Sequence, residues 1–136
     1  MITFKKMNPA WKQIWIQALR SGNYEQTYEQ LKSIDNLNDN KCSYCCLGVL
    51  CELVKPGSIL NIAYTEYNNP ELMSKFHVEW EYNTAATLPK KIGEEVELDK
   101  DIQEFLAAMN DGNPYNGMHF KDHNFQQIAN FIEDNL

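Results

Sequence analysis

Hydrophobic and polar positions alternate along this chain in several distinct rhythms, and each rhythm predicts an element. Residues 7–22 open with Asn8 as a helix cap and Pro9 at the first helical position, both favoured there. Trp11, Ile14, Trp15, Ala18 and Leu19 then recur at helical spacing and predict a buried stripe, and Gly22 supplies a left-handed stop. Residues 24–34 read as a second, more polar helix with Tyr24, Tyr28 and Leu31 on one side, followed by a polar loop over 35–41. The segment 44–54, YCCLGVLCELV, is apolar nearly throughout. Cys46, Leu47, Leu50 and Leu53 or Val54 fit a helix stopped by Pro56-Gly57, and such a helix belongs at the centre of the molecule. Gly48 within it would let a neighbouring backbone approach closely.

The rhythm changes over residues 59–82. Phe76, Val78, Trp80 and Tyr82 alternate with His77, Glu79 and Glu81, a period of two that predicts a half-buried strand in a small antiparallel hairpin or sheet. Helical spacing then returns. A short helix follows Pro89, and a longer one carries Ile102, Phe105, Leu106 and Met109 inward before Gly112. The final helix begins at Asn124, with Gln127 completing a capping box, and turns Phe125, Ile128, Ala129 and Ile132 to the core. Neither repeats nor a linker interrupt the pattern. The reading is one α+β domain over 1–136, compact and mainly helical, with a central buried helix.

Composition narrows what such a domain can do. At 136 residues and 43% hydrophobic it can bury a sizeable core with neither metal nor disulfide. Its net charge of −7 disfavours duplex nucleic acid and anionic membranes, whose binding rests on Lys and Arg. No apolar run reaches the ~20 residues that span a bilayer, and the start lacks the apolar stretch of a signal peptide. The expected location is the cytoplasm, where thiols stay reduced.

All four cysteines lie between Cys42 and Cys51. Cys42 and Cys45 have the spacing of half a structural zinc site, but no second pair stands near, so no metal is expected. Cys45 or Cys46 at a helix N-terminus, with His77 on the polar face of its strand, would form a Cys/His pair for a hydrolase or transferase. The competing reading makes the cysteines small apolar filler, with Cys42 and Cys45, at the entry of the helix, the ones that could be exposed.

A polar set offers a binding site instead. Arg20, the only arginine, stands near Ser21, Tyr24 and Gln26, where a guanidinium could fork a phosphate or carboxylate. Equally, it could simply complement the helix dipole. Tyr24, Tyr28 and Tyr44 could stack on a ring, and Asn110 and Asp111 form a further polar cluster at a helix end that turn chemistry would also explain. No P-loop, dinucleotide fingerprint or zinc-protease helix is present, and no cofactor is implied.

Several of these pieces together resemble a known pattern. W-x-x-A-L-R-S-G-x-Y-x-Q at 15–26, YCCLGVLCEL at 44–53, L-P at 88–89, L-x-x-M-N-D ending at Asp111 and N-F-x-x-I-A-x-x-I-E ending at Glu133 occur in that order. This order resembles a family of small, largely uncharacterised bacteriophage and prophage proteins. The resemblance implies a setting, the cytosol of an infected bacterium, and not a chemistry. In that setting the expected role is a non-enzymatic accessory protein that sequesters a small nucleotide-like immune signal. Cys/His catalysis and binding of a host defence protein stand as alternatives, and self-association is open.

Overall fold

The computed structural model describes residues 4–35, 37, 39, 41–57, 87–115 and 117–136. The elements run α1 (Pro9–Arg20), β1 (Glu25–Gln26), β2 (Lys32–Asp35), β3 (Lys41–Tyr44), α2 (Cys46–Val54), α3 (Lys90–Val96), α4 (Lys100–Asp111) and α5 (Phe125–Asn135). The result is an α+β fold in which helices dominate and a small mixed sheet forms one corner. The expected hairpin at 59–82, His77 included, lies outside the described residues.

The helices form where capping and apolar spacing place them. Asn8 Oδ1 accepts from the amides of Ala10 (3.0 Å) and Trp11 (3.1 Å), satisfying donors that the first turn of α1 would otherwise leave open. At α5 the capping box is complete: Asn124 accepts from the Gln127 amide, and the Gln127 side chain accepts from the Asn124 amide, both at 2.9 Å. Pro89 precedes α3, and Gly112 takes the left-handed conformation after α4.

The inward face of α1 is rotated from the expected stripe. Trp15, Ile16 and Leu19 are buried, while Ile14 is 43% exposed. Trp15 fixes that rotation: its ring is fully buried, and its indole N–H donates to the Cys46 carbonyl at 2.9 Å. A buried indole needs such a partner.

At the centre lies α2. Every residue from Cys46 to Cys51 is buried, and the helix contacts α1, α4 and β3. Its most demanding contact is with the chain just before β2. A Cβ at Gly48 would sit 1.8 Å from the Leu31 carbonyl oxygen, so only glycine allows that backbone approach. A second cluster of rings covers α4. Phe105 packs edge-on against Phe4, Tyr115 and Phe120 and stacks on Phe131, with centroids between 5.1 and 5.7 Å.

Residues 24–34 depart from the helix expected there. They form β1, a tight loop and β2, with β3 between the two strands. β1 pairs in parallel with β3 (Glu25 opposite Ser43), and β2 pairs antiparallel with it (Ser33 opposite Ser43). A helix would have put Tyr24, Tyr28 and Leu31 on one stripe. The fold sends them three ways: Tyr24 packs on Tyr44, Tyr28 goes outward, and Leu31 goes fully into the core. Local helix preference is worth only tenths of a kcal/mol per residue. Burying Leu31 completely contributes on the order of 2 kcal/mol, and the strand ladder adds to it.

Candidate functional site

Asn110 is one of two buried polar residues among the described residues, with Gln103. It is fully buried near the end of α4, and its amide makes four hydrogen bonds within the protein. Oδ1 accepts from Gln26 Nε2 (2.9 Å) and from the Cys46 amide (3.2 Å), while Nδ2 donates to the Thr27 carbonyl (3.0 Å) and to Asp111 Oδ1 (2.8 Å). An Asn side chain has two donors and two acceptor positions, so all its capacity is in use. Gln26 Nε2 also donates to the His123 carbonyl at 2.7 Å, and Asp111 Oδ1 also accepts from the Glu29 amide at 3.0 Å. Three residues expected to touch a ligand thus converge, but as a clasp that joins β1, the β1–β2 loop, the start of α2 and the end of α4. Asn110 has nothing left to offer a ligand.

Arg20 and Ser21 are engaged elsewhere. The guanidinium donates to Glu133 Oε2 at 2.6 Å and to Asn130 Oδ1 at 2.8 Å, both on α5. Gln126 returns a bond to the Arg20 carbonyl at 3.2 Å. The arginine closes the α1–α5 seam instead of forming a fork with Tyr24 and Gln26. Ser21 Oγ donates to the Ala18 carbonyl and accepts from the Asn23 amide, finishing the helix end.

The tyrosines form the outer part of the corner. Tyr24 and Tyr44 meet edge to face, with centroids 5.5 Å apart. Lys32 sits directly opposite Tyr44 in the β2–β3 register, and its ammonium lies 5.7 Å from the Tyr44 ring centroid, within cation–π range. Burial, with help from the nearby Glu52 carboxylate, pushes the Tyr44 hydroxyl up to about 12. Glu52 Oε1 accepts from the Gly57 amide, while its Oε2 is buried without a hydrogen-bond partner. Tyr28 stands apart from the others, at 46% exposure. Lys32 was not singled out in the sequence, because only strand register brings it to Tyr44. Lysine beside an aromatic carries no signal until the pairing is known.

The cysteine segment resolves differently from either catalytic or metal readings. Cys45 was expected at an open position, yet it is 3% exposed, and Cys46 is fully buried. Burial pushes the Cys45 thiol up to about 12 and Cys46 well above its ordinary value, overriding the lowering expected from the helix N-terminus. Cys45 serves as the N-cap of α2, its sulfur accepting from the Gly48 amide at 3.4 Å. The Cys46 thiol lies 3.7 Å from the Leu106 carbonyl, to which it donates. Among the described residues no group of three or more His, Cys, Asp or Glu side chains could hold a metal ion.

A cavity of about 560 Å³ lies away from this corner, where α3 turns into α4. Lys5, Lys90 and Lys100 line it together with Glu94, Glu97 and Asp99, so opposite charges offset one another there. Gln103 on its wall is committed on both sides, donating to the Leu98 carbonyl and accepting from the Leu88 amide. Among the described residues no helix is long and apolar enough to cross a membrane.

Over residues 7–136 the chain belongs to the family described as Domain of unknown function (DUF8296). Neither a curated protein nor a solved structure matches it.

Proposed function

We propose that this member of a family of unknown function is a non-enzymatic bacteriophage accessory protein. In this reading it binds and sequesters a small nucleotide-like signal of the host's immunity, in the host cytosol. The observation that carries the reading is the tyrosine corner. Tyr24, Tyr44 and the Lys32 ammonium are held together around the middle strand of the sheet, with the exposed Tyr28 on the β1–β2 loop. Rings that can stack on a base, beside a cation that can meet a phosphate, are the elements a nucleotide site needs. Contacts come from Tyr24, Tyr28, Tyr44 and Lys32. Gln26, Asn110 and Asp111 support them from behind, and Arg20 has its place in the α1–α5 seam.

Nucleophilic chemistry by Cys45 or Cys46 is disfavoured, since a thiol with so high a pKa supplies almost no thiolate at neutral pH. Native mass spectrometry of the protein purified from infected, defence-active bacteria tests the binding reading. The expected result is an added mass in the nucleotide range, released on denaturation and lost in Lys32→Ala and Tyr28→Ala. A bare chain that instead co-purifies with one host protein would overturn it in favour of a protein partner.

A further inference from the structure

The loop between β1 and β2 is held more firmly than its position at the surface requires. The Thr27 amide donates to the Tyr44 carbonyl at 2.8 Å, and the Thr27 carbonyl accepts from Asn110. The Glu29 amide donates to Asp111 Oδ1 at 3.0 Å. Leu31, fully buried beneath, accepts at its carbonyl from the Cys45 amide. Between these ties Glu29 adopts φ +65°, a left-handed conformation unfavourable for a residue with a side chain. Neither Gly nor Asn occupies the position. The strained bend is therefore maintained by its surroundings, and Asp111 is the group that touches it.

Tyr28 sits between the Thr27 and Glu29 ties. It is the one aromatic among the large hydrophobic side chains exposed in the described residues. A loose loop would present the ring in many orientations, and binding would have to select among them. A clamped loop fixes the backbone that carries it and so the directions the ring can take, which lowers the ordering cost of recognition. Strain held by a network anchored on the buried Asn110, and located next to an exposed ring, is the arrangement of a preorganised recognition loop.

The geometry points to Asp111 as a positioning residue. Its carboxylate holds the Glu29 amide, fixes the left-handed bend and so orients Tyr28, which is the principal ring contact for the ligand. The assignment rests on the binding reading above, but its first test needs no ligand.

That test places 3-fluorotyrosine at position 28 and measures amide exchange at Glu29 in the full chain. The parent protein is expected to give one fluorine line and a slow Glu29 amide. Asp111→Ala should shift or broaden the line and speed Glu29 exchange at least tenfold. Asp111→Asn, which keeps the Oδ1 acceptor, should preserve both. Adding Glu29→Gly to Asp111→Ala should restore the fluorine line, because glycine adopts the bend without strain, although the amide stays fast. Intrinsic tryptophan fluorescence, to which the buried Trp15 contributes, reports that the core is intact in each variant. An unchanged line and unchanged exchange in Asp111→Ala would overturn the assignment. So would failure of Glu29→Gly to restore the line in a folded protein.

Titration with ADP as the probe supplies the second reading. Asp111→Ala should weaken ADP at least tenfold, while Asp111→Asn and the double variant stay within threefold of the parent. Absence of ADP binding to the parent would count against the nucleotide reading alone, because the fluorine result still decides the role of Asp111. Equal ADP affinity in the parent and in Asp111→Ala would overturn the positioning role.

Discussion

The helical body and the sheet corner of this protein are held together by different physics. In the body, α1, α2, α4 and α5 bury apolar side chains such as Trp15, Leu47, Leu50, Leu106, Ile128 and Ile132, each fully enclosed. That attraction is non-directional and scales with the apolar area removed from water. In the corner the strands are two to four residues long, too short to be stable alone. They are tied to the body by directed bonds from Asn110 and Asp111 on α4 to Gln26, Thr27 and Glu29, more than eighty positions away in sequence. The body would survive many conservative changes. The corner depends on a few atoms, and the proposed binding residues stand on it.

The largest perturbation falls where the two regions meet. Gly48→Ala should destabilise the protein by about 3 kcal/mol or more, because the new methyl would meet the Leu31 backbone and not a side chain able to move. Chemical denaturation should show both regions weakened together. If the loss were below about 1 kcal/mol, the close approach of α2 to the β1–β2 loop would be wrong.

Asn110→Ala comes next and separates the regions. It removes one of the two acceptors of Gln26 and takes this partner from the Cys46 amide and the Thr27 carbonyl, and each buried group left unpaired costs about 1–3 kcal/mol. Amide exchange should accelerate strongly in β1, β2 and β3, and much less in α1 and α5. Uniform acceleration throughout would show that the corner is no separate unit.

Alkaline pH probes the junction where β3 runs into α2. The Cys45 and Cys46 thiols, ordinarily at 9.0, and Tyr44, ordinarily at 10.0, are all raised in the folded state, chiefly by burial. The folded protein therefore keeps protons that the unfolded chain releases. Their contribution is fully present below about pH 9 and is lost as pH rises from there toward 12. The unfolding free energy should be level through neutral pH and then fall, on the order of 1 kcal/mol per buried thiol by about pH 10. A flat profile across that range would contradict the burial of these thiols.

The smallest effect belongs to the one arginine. Arg20 is 35% exposed and Glu133 53% exposed, so their ion pair is largely screened by solvent. Arg20→Ala should cost at most about 1 kcal/mol in thermal denaturation and leave corner exchange rates unchanged. Loss of ligand binding in a stable Arg20→Ala variant would return the arginine to the binding site.

What the sequence determined by itself were features readable within one turn or one cap. The caps at Asn8 and Asn124, the stop at Gly112 and the burial of 46–51 all follow from local spacing, whereas the need for glycine at 48 comes from the Leu31 backbone packed against it. The tertiary structure decided whatever depends on which distant groups meet. Residues 24–34 have a helical pattern, yet they form strands because β3, α2 and Asn110 offer their backbone better partners. Asn110 and Asp111 look like ordinary helix-end chemistry until the fold brings β1 and its loop against them. Lys32 gains an aromatic neighbour only through strand register. A helix satisfies its backbone within itself, so its signal is written locally. A strand or a polar clasp satisfies its groups through remote partners, and no single stretch of the sequence contains both halves of such a bond.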